Sequence, residues 1–290
     1  MTTHMNNYMT GSHAALASLK DQPTVTPSSS ASLAVNTYAR AVGGFSWRGE
    51  TFDQLKLASS ETRWPGYARF AGLQEKGLRA EALREITAFA ESLRQEPLQA
   101  RWDFVSWLLT EVLGPGVITQ PVVPFPLRSA VVVPTLLEWR ESRPDDPRAT
   151  LWLASRFASD LAEHIPDDPE AVLQILRAQL VHTPDAVEIR RLLADFLLGY
   201  VDSASHHLME TVYLDDPDTN QARLAEVREL LGDDVPGAQP EDPLIAEARR
   251  EQELLDAWRA FESDGGQDFP QWCSDHGVEP PVGNVYYYTD

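Results

Sequence analysis

From about Ser60 onward the apolar residues recur at intervals of three and four, the spacing that lines one face of an α-helix. In "RATLWLASRFASDLAEHI", Leu151, Ala154, Ala158 and Leu161 share a face. "EAVLQILRAQLVHT" continues with Val172, Ile175, Leu176 and Leu180, and "DAVEIRRLLADFLLGYV" with Ile189, Leu192, Leu193 and Phe196. Earlier in the chain, "GYARFAGLQEKG", "LRAEALREITAFAESLRQEP" and "LQARWDFVSWLLTEVLGPG" carry the same period. "PFPLRSAVVVPTLLEWRESR" contains the strand-like run "SAVVVP", but no second such run exists to pair with it. A helix kinked or started near Pro134 is expected there instead. The expected fold class is all-α.

The polar positions between these runs predict where helices begin. Pro-Asp-Asp-Pro at residues 144–147 returns 22 residues later, at 166–169. "TPDAVE", "LDDPDTN" and "PEDPLIAEA" open the next three apolar runs in the same style. An aspartate carboxylate accepts from the free N–H groups of a first turn and favours the positive end of the helix dipole. A proline at N1 gives up an N–H that has no partner there anyway. Short helices joined by tight turns follow. Residues 1–40 are rich in Ser, Thr, Asn and Ala without sustained periodicity and are expected to form a mobile tail. Residues 41–60, with "VGGFSWRGETF", are expected to be a turn or linker. Residues 61–265 form the helical domain, and residues 266–290 a short helix and an extended tail packed on it.

Paired helices, small residues such as Ala154 and Ala178 at close crossings, and Pro-Asp-Asp-Pro turns before each pair resemble tetratricopeptide-type helical-repeat proteins over residues 66–263. The period departs from that family, because Pro147 to Pro184 is 37 residues where about 34 is usual, and no complete repeat signature is present. The resemblance implies a short right-handed solenoid of about nine or ten helices in antiparallel pairs, whose concave surface binds polypeptide. "LLGYVDSASHHL" at 197–208 and the Phe-x-x-Trp-Cys stretch at 269–273 are also similar to bacterial proteins without a known activity, which implies nothing about chemistry.

Charge narrows the partners. The net charge is −20, and residues 144–290 hold 31 acidic against 10 basic groups. No basic footprint is present to release counterions from phosphate, so neither nucleic acid nor an anionic membrane surface is an expected partner. No apolar run is long enough to cross a membrane. The first residues lack the basic-then-apolar order of a secretory leader, and the single cysteine, Cys273, excludes an internal disulfide. A reducing, cytoplasmic setting is expected. If successive Asp-Asp-Pro turns stack on one side, Asp145, Asp146, Asp167, Asp168, Asp215 and Asp216 line an acidic rim for a basic protein partner. Tyr286, Tyr287 and Tyr288 cannot all face a core and are the other candidate contact segment.

Catalytic candidates are sparse. On a continuous helix, Asp202, His206 and Glu210 recur every four residues and would form a carboxylate–imidazole–carboxylate stripe. Such a stripe could orient a general base or, through His206 and Glu210, contribute to a metal site. His207 stands beside it, and at least one of the two histidines is expected to be buried and structural. Residues 215–226 fail as a calcium loop: counted from Asp216, Gln221 stands where glycine is needed and Val227 where a bidentate Glu is needed. Ser46 in "GGFSWRGE" lies one residue off a nucleophile elbow and follows no apolar strand. Cys273 and His276 are too few ligands for zinc. Trp102, Trp107, Trp139, Trp152 and Trp258 lie in apolar stripes and are expected in the core, whereas Trp47 and Trp64 are the candidates for exposure. No phosphate-cradling or dinucleotide glycine pattern occurs, and no cofactor is called for. The expected function is a non-catalytic protein-interaction or scaffold module, with neutralisation of a basic protein as one form of it. The alternative is a hydrolase or metal-dependent enzyme using Asp202, His206 and Glu210.

Overall fold

The apolar stripes and aspartate starts become helices much as their spacing dictates. The structure, a computed structural model, describes residues 47–114, 122–158, 160, 170–232 and 242–280, and within these not the side chains of 47–50 and 52. The elements are α1 (Trp47–Ser59), α2 (Pro65–Glu75), α3 (Arg79–Arg94), α4 (Leu98–Trp107), α5 (Phe125–Leu127), α6 (Val133–Ser142) and α7 (Arg148–Arg156). They continue with α8 (Ala171–His182), α9 (Val187–Ser205), α10 (Pro217–Leu231), α11 (Pro243–Ser263) and α12 (Phe269–His276). No strand occurs among the described residues, so the protein is all-α there. None of its described helices is long and apolar enough to cross a membrane. The expected tail at 1–40 lies outside the described residues, as do Leu161, Asp167, Asp168, Tyr286, Tyr287 and Tyr288.

Two of the expected aspartate starts, at α10 and α11, carry their cap, and α12 adds the same cap at Asp268. α7 and α9 follow Pro147 and Ala186 without a side-chain cap. Asp216 accepts from Thr219 N–H at 2.8 Å, Asp242 from Leu244 N–H at 3.0 Å and Asp268 from Gln271 N–H at 3.0 Å. Each is followed by proline in the first turn. α1 replaces with helix the part of the turn or linker expected at 41–60 that is described, and 41–46 lie outside the described residues. Leu55 and Ala58 bury against α2 on its inner side, and the Ser59 and Ser60 hydroxyls close its end on the Lys56 and Leu57 carbonyls. The run from Phe125 to Ser142 is helical throughout, with a π-turn at Arg128–Val132 that ends two residues before Pro134. Proline brings no N–H and crowds the preceding turn, and a widened turn is one way to absorb that mismatch inside a helix. A second π-turn, Leu108–Val112, extends α4.

Burial follows chain order. The first core runs from Leu55 to Phe157, with Ile175. The second takes Ala154 and Ala158 and runs to Leu255. The third is Leu208, the C-terminal half of α11 and α12. α7 belongs to the first two cores, and the half-buried Val172 packs against both. Most helices pack on their neighbours in sequence: α1 on α2, α2 on α3, α6 on α7, α8 on α9, and α9 on α10. Trp102, Trp107, Trp139, Trp152 and Trp258 are all buried. Trp102 and Trp139 stack at 4.1 Å between ring centres, and Arg148 lies over Trp102. Trp64 is half-buried with its ring edge-on to Phe104 at 5.3 Å, so it is less exposed than its turn-like setting suggested.

Candidate functional site

A groove of about 370 Å³ opens between α6, the 143–147 turn and α8. Its position is fixed by Gln179, which is 4% exposed and satisfied at both ends. Gln179 accepts from the Thr150 hydroxyl at 2.7 Å and donates to the Pro144 carbonyl at 2.8 Å and the Thr183 hydroxyl at 3.1 Å. That amide therefore ties α8 to the turn ahead of α7. The lining also takes the apolar Pro144, Ala171, Ile175 and Ala178, the polar Gln174, Arg140 from α6 and His182 from the end of α8. Arg140 and His182 are the lining's ionisable groups, and no carboxylate is among the lining residues. Val181, beside the groove, is 80% exposed.

The histidine corner is built differently from its expectation. α9 passes through Gly199 but stops at Ser205, so Asp202, His206 and Glu210 do not share a continuous helix. Glu210 falls in a short 3-10 turn, Leu208–Glu210. The pair that forms is His207 Nδ1 with Glu210 Oε2 at 3.1 Å. His206 is exposed and His207 half-exposed, which overturns the expectation that one would be buried. The anchor of the corner is Leu208, fully buried in the third core. Thr211 then takes a left-handed conformation, φ 59°, and its hydroxyl accepts from the Phe269 N–H at 3.1 Å, docking the start of α12. Among the described residues no three His, Cys, Asp or Glu side chains converge as a metal site.

The rim aspartates that are described are largely occupied. Asp146 accepts from the Trp139 indole at 3.0 Å and from the Arg148 N–H and guanidinium. Burial pushes its carboxyl up, but the bonds from Arg148 and Trp139 outweigh this and hold it below the usual range. Asp215 pairs with Arg223 at 2.5 Å. Asp216 caps α10, and the Thr219 hydroxyl and N–H hold its carboxyl below the usual range. Asp145 is exposed. Asp146, Asp215 and Asp216 thus serve caps and local pairs rather than offering a bare rim.

A cluster that sequence periodicity did not single out lies where α9 meets α11. Glu251 is 5% exposed and accepts from the Ser205 hydroxyl at 2.9 Å. Burial pushes its carboxyl up to about 7; Asp202 and Glu247 add to this, against Ser205 and Arg250. Burial also pushes Asp195 up to about 6, and burial with Asp202 and Asp195 raises Glu247. Asp195 and Asp202 are seven apart on α9, and Glu247 and Glu251 four apart on α11. The spacing marks each pair as one face, but only the packing of α9 on α11 joins the two faces. Glu251 is closed off behind its bond to Ser205, whereas Asp202 is exposed and Asp195 and Glu247 are half-buried beside it. Cys273 is buried, with its thiol raised by that burial, and His276 stacks on Trp272 at 4.0 Å.

Comparison of the chain with family models, curated proteins and solved structures found no match.

Proposed function

We propose that the chain is a non-catalytic protein-interaction module that holds a segment of a polypeptide partner between its helices. In this reading the helices stack as a short right-handed solenoid of antiparallel pairs, of the tetratricopeptide type. The observation that carries it is the order of burial: three cores succeed one another along the chain, linked by α7 and by α11. Stacking of consecutive units produces that order and leaves extended grooves between units as binding surfaces. The α6–α8 groove, with its apolar lining residues, is such a surface. The acidic surplus after residue 143 supports a protein partner over nucleic acid. A basic partner on the aspartate rim has little support, because Asp146, Asp215 and Asp216 are already engaged.

Selection of random displayed peptides on the folded chain tests this reading, followed by hydrogen exchange with and without the selected peptides. Enrichment over an unrelated bait, with slowed exchange in α6 and α8, is expected. Absence of any enriched peptide rules the reading out.

A further inference from the structure

Arg140 sets a positive charge in the lining of the α6–α8 groove, in a chain of net charge −20, and that mismatch points to its occupant. Carboxylates outnumber lysines and arginines by 44 to 24, so an arginine lying against its neighbours has ample opportunity to find an acid. Arg101, Arg148, Arg177, Arg191 and Arg223 each do so. Arg140 is half-buried in the groove lining and holds no carboxylate among the described residues. Its guanidinium is planar and always charged, and its fork of donors matches a carboxylate. His182 offers a further ring nitrogen from the other helix flanking the groove. The apolar Ile175, Ala178 and Pro144 of the lining suit the aliphatic stem of an acidic side chain, and Gln179 is saturated by Thr150, Pro144 and Thr183.

We infer that the α6–α8 groove is the site at which the bound polypeptide inserts an acidic side chain, aspartate or glutamate, between Arg140 and His182. This rests on the proposed polypeptide-binding function and assigns its partner chemistry. The overall negative field does not oppose it at contact. At about 0.1 M salt, charges farther than about 10 Å are largely screened, whereas Arg140 acts at hydrogen-bond range.

The peptide selection is repeated with two baits, the native chain and Arg140→Glu, both checked for equal helix content by circular dichroism. Peptides enriched on the native chain are expected to carry an excess of Asp and Glu that disappears on the Arg140→Glu bait. For a selected peptide, Arg140→Gln is expected to weaken binding roughly tenfold or more, the loss of one charge-assisted pair. Replacing that peptide's acidic residue by its amide should cost a similar factor on the native chain and little on Arg140→Gln. Peptides enriched without an acidic excess, or equally by both baits, overturn this inference while leaving the polypeptide-binding function standing. No enrichment on either bait overturns both.

Discussion

Replacing Glu251 by glutamine should stabilise the protein at alkaline pH and leave it unchanged in acid. Glu251 is 5% exposed between α9 and α11, and burial beside Asp202 and Glu247 raises its carboxyl from an ordinary 4.5 to about 7. Below pH 4.5 the side chain carries its proton in both the folded and unfolded chains. Between 4.5 and about 7 the unfolded chain has released that proton and the folded chain has not, so stability falls as pH rises through the window. Above about 7 the loss is complete. At about 1.4 kcal/mol per pH unit, the gap amounts to about 3 kcal/mol. The amide introduced by Glu251→Gln keeps the volume and accepts from the Ser205 hydroxyl. Its NH2 meets Asp202 and Glu247 as a donor instead of a like charge. Urea denaturation of both proteins at pH 4.5, 6 and 8 measures the difference directly. The variant should gain about 2–3 kcal/mol at pH 8, or about 4–12 °C in Tm for a domain of this size, and nothing at pH 4.5. Titration of groups away from the α9–α11 cluster cancels in the comparison. A difference that does not vary with pH, or a variant less stable at pH 8, refutes the assignment of a costly buried charge.

At the corner after α9, His207→Ala should shift Tm by no more than about 2 °C, because an exposed pair with Glu210 is worth under about 1 kcal/mol. Leu208→Ala, by contrast, should cost about 2–5 kcal/mol as a core deletion, read by the same thermal melts. Asp242→Ala removes both the cap of α11 and the partner of Arg191; a loss of at least about 1 kcal/mol in urea denaturation is expected. At the contact of α2 with α3, an added Cβ at Gly66 would lie 2.6 Å from Phe89 Cδ2. Gly66→Ala should therefore lower stability by about 1–3 kcal/mol through overpacking, and an unchanged denaturation midpoint would show that Phe89 yields freely.

What the sequence disclosed was whatever depends on neighbours in the chain. The faces carrying Ile175, Leu176, Ile189, Leu192 and Phe196 were visible in the period, and the caps Asp216 and Asp242 in the residue types. α1 escaped because its inward side is thin, with Leu55 and Ala58 buried but Leu57 half-exposed. The π-turns left no clear mark beyond Pro134, since a turn widened by one residue shifts a face rather than erasing it. The Asp202, His206 and Glu210 spacing was real, but it assumed a helix that continues. Burial of Leu208 and the reversal at Thr211 end α9 first, for reasons held in α11 and α12. The α6–α8 groove and the α9–α11 carboxylates were illegible because each joins side chains from separate helices.

The order of the cores has a spectroscopic consequence. Trp64, Trp102, Trp107, Trp139 and Trp152 belong to or pack on the first core, Trp258 and Trp272 to the third, and the second core is lined by aliphatic residues, Phe196 and two tyrosines. Indole emission therefore reports the two ends of the described chain and is nearly blind to its middle. If the cores come apart in sequence rather than together, fluorescence and far-ultraviolet circular dichroism will give different midpoints, and the difference will measure how firmly α7 couples one end to the centre.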